Sequence, residues 1–79
     1  MFKTSVLDIK TASVVFQGLV SSVTLPGEEG ELSLLDFHEP IIICLKEGAV
    51  KIDDNSPMPI KSGIASMKNN ELIMLLEKK

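Results

Sequence analysis

Turn-forming clusters recur along this chain at intervals too short to leave room for anything but strands. Pro26–Gly27, Lys46–Glu47–Gly48, Asp53–Pro57 and Lys68–Asn69–Asn70 divide it into short apolar pieces, and Gly, Pro, Asn and Asp at such spacing punctuate hairpins. Inside the pieces a period of two dominates, the pattern of half-buried strands. Leu7 and Ile9 alternate with Val6, Asp8 and Lys10; Leu19, Val23 and Leu25 alternate with Val20, Ser22 and Thr24; Val50, Lys51 and Ile52 continue it. Val14–Phe16, Ile41–Leu45 and Leu72–Leu76 break the alternation, as strands covered on both faces or bent by a bulge do. Glu71–Lys79 also fits one amphipathic helix, but nine residues make a marginal helix. The preceding Asn69–Asn70 suits a hairpin turn, so a strand is expected there.

With 79 residues, a chain buries only about 60–65% of its unfolded surface and cannot divide that core between two units. Residues 1–79 are therefore expected to form one domain, all-β, a small flattened sandwich or barrel. Hydrophobic residues make up 44% and charged ones 24%, well away from the disordered regime. Asp53–Pro59 is the expected mobile loop. Eleven acids face eight lysines and no arginine; lacking the planar fork that grips phosphates and base edges, the chain is a poor partner for nucleic acid. Cys44 lies in the apolar run Ile41–Leu45 and is expected to be a small buried thiol outside any disulfide, in a reducing compartment. The longest apolar runs fall far short of the roughly 20 residues that span a bilayer, and the opening residues do not read as a secretory leader. The chain itself is expected to be soluble, meeting a membrane only through a partner.

Leu25–Pro40 gathers five carboxylates and the single histidine. Pro26 and Gly27 predict a type II turn over Leu25–Glu28, with Gly27 at positive φ. Gly30 adds a second permissive position before Glu31, so Glu28, Glu29 and Glu31 are expected at an exposed acidic tip. Their spacing matches no calcium loop, and no Cys/His set accompanies His38 for zinc, so no metal is expected. Gly27–Gly30 has the outline of a GxxG nucleic-acid clamp, but its two carboxylates would repel phosphate. One histidine without a nucleophile and an orienting carboxylate is no triad. On chemistry alone His38 is a hydrogen-bonded residue closing a strand-to-loop transition before Pro40, and the acidic tip is a solvated hairpin end.

The ordered set of motifs resembles the N-terminal β-sandwich domain of the epsilon subunit of F-type ATP synthases. It comprises Leu7-Asp8 and Ile9–Ala12, Val15–Gly18, the Pro26–Gly27 turn, Gly30-Glu31-Leu32, the His38-Glu39-Pro40 segment, Leu45–Gly48, and Ile60–Glu77 with its Ser62-Gly63 step. That resemblance implies a flattened sandwich of about ten short strands, with no counterpart among these 79 residues to the C-terminal helical hairpin of typical members. It also implies a non-catalytic rotor subunit without cofactor, pinning the gamma subunit to the membrane c-ring on the cytoplasmic face of a bacterial inner membrane. By the same resemblance Glu28, Glu29, Gly30 and Glu31 face the polar loops of the c-ring, and His38 lies at or near the gamma and c-ring contacts. Ser33 stands where the family commonly has glycine, and Asp36-Phe37 precedes the histidine, so local backbone shape is expected to differ there.

Two other readings compete. A biotinyl or lipoyl carrier domain is also a flattened β-barrel of about this size with one modified lysine on a hairpin; Lys68, after Met67 at a predicted turn, is its candidate. Asn69 stands where the biotin motif has a second methionine, so an ordinary turn lysine is the simpler account. An oligonucleotide-binding barrel would stack bases on aromatics along a positive groove, whereas this chain has three phenylalanines, no tyrosine or tryptophan, and net charge −3.

Overall fold

A computed structural model describes residues 1–79, all of its regular structure being strand. The eight strands are β1 (Phe2–Asp8), β2 (Ser13–Val20), β3 (Ser22–Gly27), β4 (Gly30–Leu35), β5 (Ile41–Leu45), β6 (Gly48–Ile52), β7 (Met58–Lys68) and β8 (Glu71–Lys78). Their order is β2-β1-β8-β7-β5-β3-β4, with β6 pairing β3 and β7. Every pairing is antiparallel except β1 with β8, which run side by side in parallel. The count is eight rather than about ten partly because β7 runs eleven residues unbroken. A register shift against β8 between Ile60 and Ser62 bends it without cutting it, the usual effect of one extra residue in a ladder.

The β7–β8 hairpin is dictated locally. Asn69 and Asn70 have φ of 54° and 58°, the doubly left-handed conformation of a type I′ turn, which asparagine tolerates better than most residues. Lys68 therefore faces Glu71, and Leu72, Met74 and Leu76 all point inward. Glu71–Lys78 is the expected strand.

Fifteen buried apolar side chains, drawn from all eight strands, form one cluster. Each fully buried aliphatic contributes about 1.5–3 kcal/mol, so the rolled sheet is held by this shared interior more than by any one hairpin. Inward positions in β1 are Phe2, Thr4 and Val6, which corrects the expected face of that strand: Ile9 is exposed, and Leu7 belongs to the outer side with it. Thr4 is buried and its Oγ1 has no hydrogen-bond partner. Likewise Val20 is inward and Leu19 outward, while Val23 and Leu25 are buried as expected. Asp53, in the expected mobile loop, is tied down instead. Its carboxylate accepts the Ser21 and Ser22 N–H groups at 2.8 and 2.9 Å, and its own N–H donates to the Ser22 carbonyl.

Candidate functional site

The acidic hairpin is built differently from the expected turn. Pro26 and Gly27 are buried and end β3; the reversal is the two residues Glu28–Glu29, between Gly27 and Gly30, which face each other in register. Gly30, not Gly27, has positive φ, at 137°. Proline brings no N–H to the ladder, and its carbonyl accepts Lys46 N–H at 2.9 Å. Glu28, Glu29, Gly30 and Glu31 are all exposed, so the structure brings the four expected tip residues together at one end of β3–β4.

Beside that tip the sheet is incomplete. The β3–β5 pairing consists of Gly27 with Leu45, extended by a 3.1 Å bond from Glu28 N–H to the Cys44 carbonyl. Beyond it, through Ile43, Ile42 and Ile41, β5 has no partner on this side and pairs only with β7. A cleft of about 490 Å³ opens between the tip residues with Leu32 and Ile41–Cys44. Leu32, Ile41 and Ile43 are half-buried against the core, and Ile42 and Cys44 point outward. Cys44 is thus exposed rather than buried, because Leu45 takes the inward position and the strand alternates; Ile41–Leu45 is covered on one face only.

A second surface lies across the outer side of the sheet. Register lines up Val14, Leu7, Leu75, Ile64 and Cys44 in one row over five strands, and Ile42 and Ile73 occupy the next row, flanking Ser66. Large apolar side chains on a solvent face mark contact surfaces when they are contiguous. Period-two reading of any one strand treats these residues as exceptions; only the cross-strand register shows them as one stripe.

His38 is half-buried in the β4–β5 connection. Its Nδ1 lies 2.8 Å from the Glu39 carbonyl oxygen. A carbonyl only accepts, so Nδ1 carries the proton and Nε2 is left for a partner. The neighbouring Phe37 is 84% exposed with φ of 59°, a strained conformation for an aromatic residue. Asn70 holds it there, its Oδ1 accepting Phe37 N–H at 2.7 Å. Asp36, next in line, pairs with the Met1 ammonium at 2.6 Å. That ammonium, with help from the Asn70 amide and against some desolvation, draws the Asp36 carboxyl below the usual carboxylate range. Sequence reasoning singled out His38 and named Phe37 only as a change in local backbone shape, not as an exposed contact; that exposure depends on Asn70, 33 residues away.

No three of the chain's His, Cys, Asp and Glu side chains converge into a metal-sized set, and no helix is long and apolar enough to cross a membrane. Lys68 ends β7 directly before the turn and is exposed.

Residues 3–78 match the family model described as the β-sandwich domain of the ATP synthase delta/epsilon chain. This chain belongs to that family. It is 32% identical over 81 aligned positions to the ATP synthase epsilon chain of Desulforamulus reducens, covering 98% of this chain and 61% of that one. It is 34% identical over 76 positions to ATP synthase epsilon chain 2 of Ralstonia nicotianae, covering 90% and 55%. The chain thus spans about half the length of the curated relatives it matches. Among solved structures, a chain of the Tetrahymena thermophila mitochondrial ATP synthase central stalk and c-ring superposes with TM-score 0.79 at 15% identity, covering 96% of this chain and 63% of that chain. A chain of the Euglena gracilis mitochondrial ATP synthase does so with TM-score 0.80 at 18% identity, covering 92% and 48%. At such identities the likeness is one of fold. Family membership does not favour the carrier-domain reading of Lys68.

Proposed function

We propose that this chain is the β-sandwich of an ATP synthase epsilon subunit. As a non-catalytic rotor element it links the gamma subunit to the c-ring and couples proton flow to ATP synthesis, at the cytoplasmic face of a bacterial inner membrane that it meets only through the c-ring. The observation that carries the reading is the exposed tip Glu28–Glu31, set at the end of a hairpin whose Val23, Leu25 and Leu34 are buried in the common core. A rotor element must hold two neighbours in fixed register, which calls for a stiff body and charges offered at a defined point. The tip carboxylates present negative charge to a basic polar loop, and His38 with Phe37 gives the β4–β5 connection a second contact. The apolar outer stripe through Leu75 and Ile64 supplies packed area, which carries more of an interface's energy than rim charges.

The test is reconstitution with the gamma subunit and c-ring of the same ATP synthase. The chain is expected to bind both together and to restore proton pumping driven by ATP hydrolysis. A chain that ignores both components, or that emerges from the cell carrying a lipoate or biotin mass on Lys68, refutes the reading.

A further inference from the structure

We infer that the cleft between the acidic tip and β5 receives an extended, lysine- or arginine-bearing segment of a partner protein, which adds to the sheet as a strand on the free edge of β5. The inference rests on the reading of the tip as a docking element and concerns how it docks.

The Cys44 carbonyl and Lys46 N–H both point toward β3, since they bond Glu28 N–H and the Pro26 carbonyl. Strand groups alternate in direction every residue, so the N–H and carbonyl of Ile42 and the N–H of Cys44 point the same way. No strand lies there: β3 has ended at Gly27, β4 pairs only with β3, and the reciprocal bond from Cys44 N–H to the Glu28 carbonyl is not made. On its other side β5 is fully paired with β7 from Ile41 to Leu45. About 13 Å of edge, four residues at strand rise, is therefore preformed and rigid. Unpaired edges of this kind are templates for strand addition.

Side chains specify the guest. Leu32, Ile41 and Ile43 face the interior side of the cleft, whereas Glu28, Glu29 and Glu31 are exposed at its rim. A strand laid antiparallel to β5 would turn alternate side chains toward those two environments, apolar inward and cationic outward. Charge complementarity thus selects a basic segment over an acidic or neutral one.

Amide hydrogen exchange on the full chain tests this. The Ile42 and Cys44 amides are expected to exchange rapidly in the free chain. A blocked hexapeptide of alternating lysine and valine should bind with an affinity that falls with salt, and should slow both amides by about tenfold or more, the mark of a ladder bond formed. Two analogues of the peptide, backbone N-methylated at every lysine or at every valine, block opposite edges of the guest strand. One must lose binding by about tenfold and the other must keep it. Ile42→Pro removes the edge donor while sparing the β7 ladder and is expected to weaken the parent peptide similarly; the analogue pair carries the test should that variant not fold. Protected Ile42 and Cys44 amides in the free chain, equal binding of both analogues, or a dimer of this chain formed through β5 overturns the inference. The same exchange measurement in the assembly with gamma and c-ring separates the two claims. Assembly with Ile42 and Cys44 still exchanging rapidly overturns strand addition alone, and failure to assemble overturns the rotor reading.

Discussion

Replacing Gly48 with alanine tests whether the acidic hairpin is seated by close packing across the sheet rather than by its own turn. Gly48 opens β6 where it passes β3, and a Cβ there would lie 2.7 Å from Pro26 Cβ and 3.2 Å from Pro26 Cγ. Carbon atoms rest about 3.5–4.0 Å apart, so the two residues must separate by about 1 Å. The proline ring is closed on its own backbone and cannot rotate aside, and its carbonyl is held at 2.9 Å by Lys46 N–H. The displacement falls on the β3 backbone or on the Lys46–Gly48 link. Overpacking of this kind costs about 1–3 kcal/mol, and weakening the Lys46–Pro26 bond adds up to about 1 kcal/mol. Against this, a stiffer unfolded chain returns about 0.4–1 kcal/mol. The net loss of about 1–3 kcal/mol corresponds to a fall in Tm of roughly 5–20 °C for a chain this short. Gly18→Ala is the internal control: its Cβ meets only the Phe16 ring, at 3.6 and 3.9 Å, so its stability should stay within about 1 kcal/mol of the parent. Urea unfolding gives the energies, and backbone amide shifts at Glu28–Glu31 report whether the tip has moved. An alanine at 48 as stable as one at 18, with unmoved tip amides, would refute the reasoning.

Thr4→Val should stabilise the fold by about 1–2 kcal/mol, because it removes a buried hydroxyl without a partner at nearly constant volume; a loss in urea unfolding would show that Oγ1 is satisfied. Asp36 has a lowered folded pKa through the Met1 ammonium and Asn70, so its contribution is complete above the unfolded carboxylate pKa of about 4 and is lost as pH falls through the folded value. The stability gap between the parent and Asp36→Asn should therefore be constant near neutrality and close in acid; a gap independent of pH contradicts the ion pair. Glu31→Lys should weaken docking on the c-ring and make the residual binding less sensitive to salt, since one attraction becomes a repulsion. Unchanged coupling of hydrolysis to proton pumping in that variant would count against the tip as the contact.

Much of the candidate site was legible because it is local. Gly30 before Glu31 marks a permissive backbone position, and Glu28–Glu29 between two glycines can only be a tip; these readings depend on residues within a few positions of one another. The turn itself was misplaced by two residues, since Pro26–Gly27 is a turn pair by propensity but is buried at the end of β3, where Lys46 of the β5–β6 link and Gly48 at the start of β6 hold it. The exposure of Phe37 and the free edge of β5 were not legible at all. One is set by a hydrogen bond from Phe37 N–H to Asn70 Oδ1, the other by where β3 happens to stop relative to β5.

By itself, the sequence determined that this chain makes strands, where most of them reverse, and which end carries negative charge, because turn chemistry and period-two patterning act between neighbours and are written in residue types. Tertiary structure alone decided which side of β1 and β5 faces the core, how Val14, Leu7, Leu75, Ile64 and Cys44 come into one row, and which backbone groups are left without a strand. A shift of one residue in pairing sends every side chain to the opposite face. That choice is made by the packing of all eight strands on one shared core, and no single segment contains it.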